Sequence, residues 1–338
     1  MVGFVFWSYS RQLKQFEKLH ARDINSAFCT QRYGNGEAMK TFIRRQTRRR
    51  VLQTLACGAL AQIGAHGPFA HGSRIPPGVR FGVQLNAFPI DPKSLDSFLG
   101  TLNTVRQIGY QGFESSFRNV NSQFAAPEHA RAAIKSTGLT FFGIHIFFPN
   151  QQYDQSTYIA APSVYEPVAR GGVALGAKHL ILSGAPAPDA DALKRKIDAL
   201  NAAGRFARSV GITTAYHNHW WEFESKIGEI DALYSQTDPS LVHFLLDAGH
   251  AYHGGADVPA FIRAHAGRIV GFHLRDYRDG KLATLGTGSF PLAQVAGTIR
   301  QIGWKGWVEN EEERDDLSKN GADVIAPAYR AMKEAFTS

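Results

Sequence analysis

Imidazole and carboxylate side chains recur along the sequence, and each set follows a short apolar run. In chain order the runs end in Glu114, His145, Tyr216-His217-Asn218-His219 with Glu222, Asp247 with His250, His273 with Arg275, and Glu309. Burying several carboxylates in one place is costly unless a cation compensates, so the pattern favours one divalent metal ion. Mixed nitrogen and oxygen ligands suit Mn²⁺, Co²⁺, Zn²⁺ or Fe²⁺ better than Ca²⁺, and residue types alone leave the metal's identity, Mg²⁺ included, open.

Two neighbouring features have a structural interpretation beside the functional one. The acidic residues between positions 311 and 316, which begin with Glu311, are expected to form a solvated loop. Trp220, Trp221 and Phe223 follow the histidine cluster directly. These aromatic residues are equally compatible with packing beneath a loop and with an apolar platform for one face of a sugar.

The runs that carry these residues alternate with amphipathic stretches, which is typical of βα units. The predicted strands are Arg80–Leu85, Gly112–Glu114, Thr140–His145, His179–Ser183, Thr213–His217, Val242–Asp247, Ile269–His273 and Gly306–Glu309. Glycines expected at the helix C′ position separate helix from strand at Gly109, Gly138, Gly176, Gly211 and Gly303. Eight strands predict a (β/α)₈ TIM barrel over residues 79–338. An open doubly wound sheet is the alternative, but no G-x-G-x-x-G follows the first strand.

A barrel of this kind gathers the carboxyl ends of its strands at one mouth, where active sites are built. The polar residues named above end predicted strands 2, 3, 5, 6, 7 and 8. We therefore expect them to converge there.

The net charge of +8 belongs to the N-terminal segment and not to the predicted barrel. Residues 1–72 hold 11 Lys/Arg and 3 Asp/Glu, which leaves 26 of each kind in the remainder. The folded part thus has no basic excess for nucleic acid. No stretch reaches the roughly 18 uninterrupted apolar residues of a membrane span. Both cysteines, Cys29 and Cys57, also lie in this segment, so the barrel has no thiol chemistry.

Residues 39–72 combine a basic region, a modestly apolar stretch and small residues, as export signals do. Thr47-Arg48-Arg49-Arg50-Val51-Leu52 resembles a twin-arginine signal, with a basic amphipathic helix as the alternative. We expect residues 1–38 to be a non-native upstream extension or disordered, because a signal works best near the chain start. The expected location is the periplasm or outside the cell, with the cytoplasm as the alternative.

The motifs Tyr216-His217-Asn218-His219, Leu246-Asp247-Ala248-Gly249-His250 and Phe272-His273-Leu274-Arg275-Asp276, followed by Trp307-Val308-Glu309, resemble the xylose-isomerase-like superfamily of sugar isomerases and epimerases. The resemblance covers about residues 79–335. It implies a single divalent metal held by ligands on strands 5, 6, 7 and 8.

The resemblance implies Asp247, His273 and Glu309 as the last three ligands. The ligand on strand 5 departs from the family pattern, because His217 stands where many members have Glu. His217 could bind the metal instead of that Glu, and His219 and Glu222 are the alternatives for this ligand. His250 and Arg275 match residues that contact substrate hydroxyls, although Arg275 could instead pair with Asp276. Glu114 and His145 match substrate-side positions, and Glu222 is a further candidate contact.

The resemblance implies proton abstraction next to the carbonyl of a sugar or cyclitol. We expect an isomerase or epimerase with Glu309, His217 and His219 as catalytic residues. The resemblance would imply two metal-bound glutamates, on strands 5 and 8, as the acid and base of an epimerase, but His217 stands in place of the first. The alternative is therefore a dehydratase of keto-sugars or keto-inositols, or a keto-glycoside lyase. A further alternative is a non-catalytic sugar-binding barrel, which would be supported if the protein bound no metal and showed no activity on keto-sugars. A DNA-repair endonuclease of the same superfamily would need more metal ligands and a basic surface.

Overall fold

The computed structural model describes residues 75–313 and 321–338. The two N-terminal segments, residues 1–38 and 39–72, lie outside the described residues, as do the acidic residues 315 and 316. The expectations about an upstream extension and an export signal therefore stay predictions. Within the described ranges, no helix combines the length and the apolar character that crossing a membrane requires.

Eight parallel strands close into a barrel, in the order β1-β10-β7-β6-β5-β4-β3-β2. They are β1 Val79–Gln84, β2 Gly112–Ser116, β3 Thr140–Ile146, β4 His179–Leu182, β5 Thr213–His217, β6 Val242–Asp247, β7 Ile269–Leu274 and β10 Gly306–Asn310. Pairing of β1 with β10 removes both sheet edges, which confirms the barrel and excludes the open sheet. A small antiparallel hairpin, β8 Asp276–Arg278 and β9 Lys281–Ala283, follows β7.

The helices alternate with the strands as the amphipathic pattern predicts. They are α1 Leu95–Ile108, α2 Pro127–Ser136, α3 Pro162–Leu175, α4 Ala190–Ser209, α5 Trp220–Glu224, α6 Glu229–Gln236, α7 Ala248–His253, α8 Val258–His265, α9 Leu292–Gln301 and α10 Gly321–Thr337. The two shortest, α5 and α7, were not predicted. All five glycines expected after helices have positive φ, between 64° and 117°, where a side chain would be strained.

The inside of the barrel is layered, because side chains of a strand alternate between the interior and the surrounding helices. Phe142, Ile181, Ala215, Leu245 and Trp307 form an apolar cluster inside the barrel. Two residues further along four of these strands, the interior positions are polar: Ser183, His217, Asp247 and Glu309. The interior of the barrel therefore changes from an apolar layer to a buried, charged layer at the mouth.

Candidate metal centre

Four side chains from neighbouring strands meet at the mouth of the barrel. His217 ends β5, Asp247 ends β6, His273 lies near the end of β7, and Glu311 directly follows β10. His217 Nε2 lies 3.0 Å from His273 Nδ1, 3.2 Å from Glu311 Oε2 and 3.5 Å from Asp247 Oδ2. His273 Nδ1 lies 2.6 Å from Glu311 Oε2. Two imidazole nitrogens and two carboxylate oxygens therefore point at one place.

This donor set fits a divalent metal ion. Nitrogen and oxygen ligands lie about 2.0–2.2 Å from an ion such as Zn²⁺, which puts ligand atoms of one ion roughly 3 Å apart. The separations quoted above run from 2.6 to 3.5 Å, and all four side chains are buried. Asp247 and His273, two of the ligands that the family resemblance implies, are among the four that could hold an ion, and so is His217, the candidate for the strand-5 position.

Glu311, and not Glu309, is the carboxylate that β10 contributes to this group. Trp307, Glu309 and Glu311 alternate along one face of the strand, so Glu309 lies one layer deeper, beside the apolar layer of Trp307. Glu309 belongs to a second possible group with Glu114 and His273. The expectation of a solvated loop is wrong for Glu311 and its neighbour Glu312, which are 2% and 3% exposed. The backbone N–H of Glu311 donates to Leu274, which extends the sheet pairing beyond β10.

Arg275 is buried among the carboxylates of this group. Its Nε donates to Asp247 Oδ2 at 2.6 Å, its second terminal nitrogen donates to Glu311, and its first donates to Glu313 at 2.8 Å. Burial alone would raise the pKa of Asp247 and Glu311, but the guanidinium holds both pKa values below their usual range. The side chain does not pair with Asp276, which instead accepts backbone N–H bonds from the loop after β9.

Glu309 differs from the other carboxylates in having no hydrogen-bond partner for either oxygen among the described residues. Its Oε2 lies 3.4 Å from His273 Nε2. Burial raises the pKa of Glu309 to about 8, so the group is mostly a neutral acid at pH 7. Gly82 leaves the space for it, since a Cβ there would lie 2.3 Å from Glu309 Oε1.

His219 and His250 each present a free imidazole nitrogen at the mouth. His219 Nδ1 and His250 Nε2 have no hydrogen-bond partner within the described part of the chain. The His219 ring stacks on Trp221 with centroids 4.0 Å apart, and Tyr277 Oη lies 2.8 Å from His250 Nδ1. Burial lowers the pKa of both histidines well below its usual value, so both rings are neutral at pH 7.

Glu222 lies outside the metal group, although its sequence position suggested a ligand or a substrate contact. Tyr216 Oη donates to its Oε1 at 2.6 Å, and the backbone N–H of His219 donates to its Oε2 at 2.8 Å. Fully buried Lys196 lies 3.8 Å from Glu222 and donates to Glu229 at 2.7 Å. This buried cluster holds the start of α5, and with it His219, in place.

Glu114 and His145 reach the site, but their polar atoms bind other side chains. Glu114 Oε1 lies 2.8 Å from His145 Nδ1, and its Oε2 lies 3.2 Å from His273 Nε2. His145 Nε2 lies 2.9 Å from Ser183 Oγ, which is 3.4 Å from His217 Nδ1. Ser183 was not among the predicted site residues, although it ends its predicted strand as the other polar residues end theirs.

A model of the xylose isomerase-like TIM barrel family matches residues 102–335, which is more than half of the chain. The chain belongs to this family. Inosose dehydratases from Clostridium beijerinckii and Salmonella typhimurium are each 29% identical over 156 residues, which cover 40% of the chain and 52% of each relative. The chain thus spans about half the length of the curated relatives it matches.

Many solved structures share this fold. A sugar phosphate isomerase/epimerase from Parabacteroides distasonis covers 82% of the chain and 100% of its own, with a TM-score of 0.63 and 18% identity. A D-psicose 3-epimerase covers 77% and 100%, with a TM-score of 0.60 and 15% identity. The relatives and the solved structures that the chain resembles all have the names of enzymes. At 18% and 15% identity, the similarity to the two solved structures shows the fold alone.

Proposed function

We propose that the barrel is a divalent-metal-dependent enzyme that removes a proton next to the carbonyl of a keto-sugar or keto-cyclitol. The observation that carries the proposal is the convergence of His217 Nε2, His273 Nδ1, Asp247 Oδ2 and Glu311 Oε2 within 4.8 Å. A divalent ion held by these four side chains would polarise a substrate carbonyl and so acidify the adjacent C–H bond.

His219 is the best-placed base. Its Nδ1 is free, and its low pKa keeps the ring unprotonated, so the lone pair can accept a proton from carbon. The stacked Trp221 and the Glu222 bond to its backbone fix the ring's orientation. His250 is suited to a substrate hydroxyl, because Tyr277 Oη can donate to Nδ1 and leave an N–H at the free Nε2.

We favour elimination of water over epimerisation. The ligand on β5 is the imidazole of His217, so the metal group lacks a pair of glutamates from strands 5 and 8 that could serve the two faces of a carbon. In elimination His219 takes the proton from carbon, the C–H electrons form a C=C bond, and the β-hydroxyl leaves with that proton as water. The names of the inosose dehydratases agree with this outcome. Epimerisation is the second candidate, because the neutral rings of His219 and His250, with centroids 5.0 Å apart, could exchange protons with opposite faces.

The metal site is tested by Asp247→Ala and His273→Ala. We expect both variants to keep the far-ultraviolet spectrum of the barrel and to lose stoichiometric binding of Zn²⁺, Mn²⁺ and Co²⁺. Exposed Asp198→Ala on α4 is the control and should bind as the wild type does. Full metal occupancy in either site variant would refute the assignment.

The reaction is tested on a panel of keto-sugars and keto-inositols in D₂O. Loss of water, seen as an enone absorbance and a mass lower by one water, supports dehydration. Deuterium uptake with the substrate's formula retained would establish epimerisation or isomerisation instead. No change in any substrate, together with no bound metal, would support a non-catalytic sugar-binding barrel.

We also propose that the protein is exported by the signal in residues 39–72, with a cytoplasmic protein as the alternative. The basis is the Arg48-Arg49 pair ahead of a modestly apolar stretch. Changing both arginines to lysine should keep the protein in the cytoplasmic fraction as a longer species. An unchanged distribution would argue against a twin-arginine signal.

A further inference from the structure

We propose that Gln84 is a specificity-determining residue whose side-chain amide donates a hydrogen bond to an oxygen of the substrate. The proposal rests on the keto-sugar or keto-cyclitol function argued above, and it narrows the substrate to ketones that have an oxygen substituent on both sides of the carbonyl. It follows from the position of Gln84 in the barrel and from a side-chain nitrogen that no described residue binds.

Gln84 is the last residue of β1 and points into the barrel at its mouth. Side chains alternate along a strand, and Gly82, two residues earlier, faces the interior, where its Cβ would contact Glu309. The register of β1 places Gln84 beside Glu114 on β2, and β1 also pairs with β10, which leads into Glu311. The side chain of Gln84 is fully buried. Gln84 therefore belongs to the polar layer that contains the metal group.

The orientation of the Gln84 amide is fixed by the backbone that follows it. The N–H of Asn86 lies 2.5 Å from Gln84 Oε1, and a backbone N–H can bond only to the oxygen of a side-chain amide. The other end of the amide is therefore Nε2, and it has no hydrogen-bond partner within the described ranges. A buried donor without a partner costs free energy, so this N–H is available to a group that the barrel itself does not supply.

The carboxylates beside Gln84 already interact with other groups. Glu114 Oε1 and Oε2 lie 2.8 and 3.2 Å from histidine nitrogens. Glu311 Oε1 accepts from Asn86 Nδ2 at 3.1 Å, and Glu311 Oε2 faces the two ligand histidines. The two amides at the end of β1 thus differ, because Asn86 binds the metal group whereas Gln84 Nε2 stays available.

Gln84 and His219 lie at the two ends of the metal group around the mouth. Neighbouring strands follow the order β1-β10-β7-β6-β5, and the four candidate ligands come from the last four of these. Four steps separate β1 from β5 in a closed barrel of eight strands, so Gln84 and the residues after β5 lie on opposite walls. His219 Nδ1, like Gln84 Nε2, has no partner in the part of the chain that the structure describes.

A substrate whose carbonyl faces the metal group therefore meets a different nitrogen on each side. The carbon that loses its proton lies toward His219, so Gln84 faces the carbon on the other side of the carbonyl. An N–H at that place binds an oxygen and offers nothing to a CH₂ group. A site with such a donor rejects analogues that lack the oxygen. Cyclic ketones with two flanking hydroxyls meet this requirement, whereas aldoses, whose carbonyl is terminal, do not.

The first experiment removes the two partners separately. The substrates are a keto-inositol with hydroxyls on both carbons next to the carbonyl and its analogue without the hydroxyl on the Gln84 side. We expect the wild type to prefer the first by roughly 10- to 100-fold in kcat/KM, and Gln84→Met to lose most of that preference. Gln84→Glu keeps the acceptor for Asn86 but lacks the donor, so it should lose the preference even if methionine disturbs the strand. Exposed Gln301→Met is the matched control and should keep it.

The amide itself gives a readout that does not depend on turnover. In zinc-loaded His219→Gln protein labelled with ¹⁵N-glutamine, the Gln84 side-chain signal is identified by its loss on adding Gln84→Met. We expect the keto-inositol to shift this signal and to leave that of Gln301 unchanged. An unshifted signal with bound keto-inositol, or equal losses of Gln84→Met on both substrates, would indicate an ordered water as the partner and overturn the contact alone. A wild type that neither binds nor converts any ketone tested would overturn the proposed function and the contact together.

Discussion

Replacing Arg275 by methionine tests how the charges of the site are balanced. The guanidinium is 2% exposed and donates to Asp247, Glu311 and Glu313, of which Glu313 is about one-third exposed. Methionine approximates the length of the side chain but offers neither charge nor donors. The variant therefore leaves Asp247 and Glu311 buried beside His217 and His273 without their strongest counter-charge.

The expected cost follows from the number of buried charges that lose a partner. Removing one partner of a buried ion pair costs about 3–5 kcal/mol, because the other charge stays buried and uncompensated. Arg275 has two fully buried partners, but neighbouring histidine protons compensate part of the loss, so we expect a single penalty of about that size. For a domain of this size it corresponds to a fall in Tm of roughly 6–20 °C.

A divalent ion should reverse much of this penalty, because it places positive charge among the same carboxylates. We therefore expect the stability increase on adding Zn²⁺ or Mn²⁺ to be larger in Arg275→Met than in the wild type. Urea unfolding with EDTA and with excess metal measures both quantities. Exposed Arg263→Met on α8 is the control and should shift stability by no more than about 0.5 kcal/mol. Equal metal stabilisation of both proteins, or an Arg275→Met protein as stable as the wild type in EDTA, would refute this account.

Four further predictions concern separate parts of the chain. Gly82→Ala should destabilise the barrel by about 1–3 kcal/mol in urea unfolding, because its Cβ would overlap the Glu309 carboxyl. Burial raises the pKa of Glu222 to about 7 from an ordinary 4.5, so the folded state binds more protons and stability falls as pH rises between those values. Glu222→Gln should flatten that fall, which is on the order of 3 kcal/mol, and an unchanged slope would contradict it. His219→Gln should lower turnover by 10²-fold or more, roughly the share of a general base, with metal affinity unchanged. Removing residues 1–72 should leave metal binding and activity intact, and an insoluble product would contradict the signal interpretation.

The fold could be predicted from the sequence because its signals are local and repeated. All eight barrel strands were predicted within one or two residues of their observed ends, and the amphipathic stretches between them correspond to the longer helices. The glycines after the helices were informative because the left-handed conformation restricts residue type. The short helices α5 and α7 were missed because five or six residues do not show a helical period. They form where a strand end turns into the mouth: Asp247 accepts from the backbone N–H of His250 at the start of α7, and Glu222 accepts from the backbone N–H of His219 at the start of α5.

The site was predicted in part, and the errors in that prediction have a common cause. Asp247, His273 and His217 end their strands, so convergence at the mouth follows from topology alone. Glu311 was misjudged because the acidic run that contains it has the composition of a solvated loop. The alternation of Trp307, Glu309 and Glu311 contained the missing signal, since an apolar interior residue fixes the side of the strand that later residues share. Interactions that join distant parts of the chain, such as those of Lys196 with Glu229 and of Glu114 with His273, leave no local pattern.

The Lys196 cluster also limits how this barrel can be redesigned. Barrel enzymes diversify because each βα loop is, in general, a separate module on a common frame. Here Lys196 on α4 binds the carbonyl of Ala185 in the loop after β4 and Glu229 at the start of α6, beside the Glu222 that holds His219. A graft of the β5 loop alone would leave a buried lysine without its carboxylates. The loops after β4 and β5 must therefore be exchanged together with α4, as one unit of three segments.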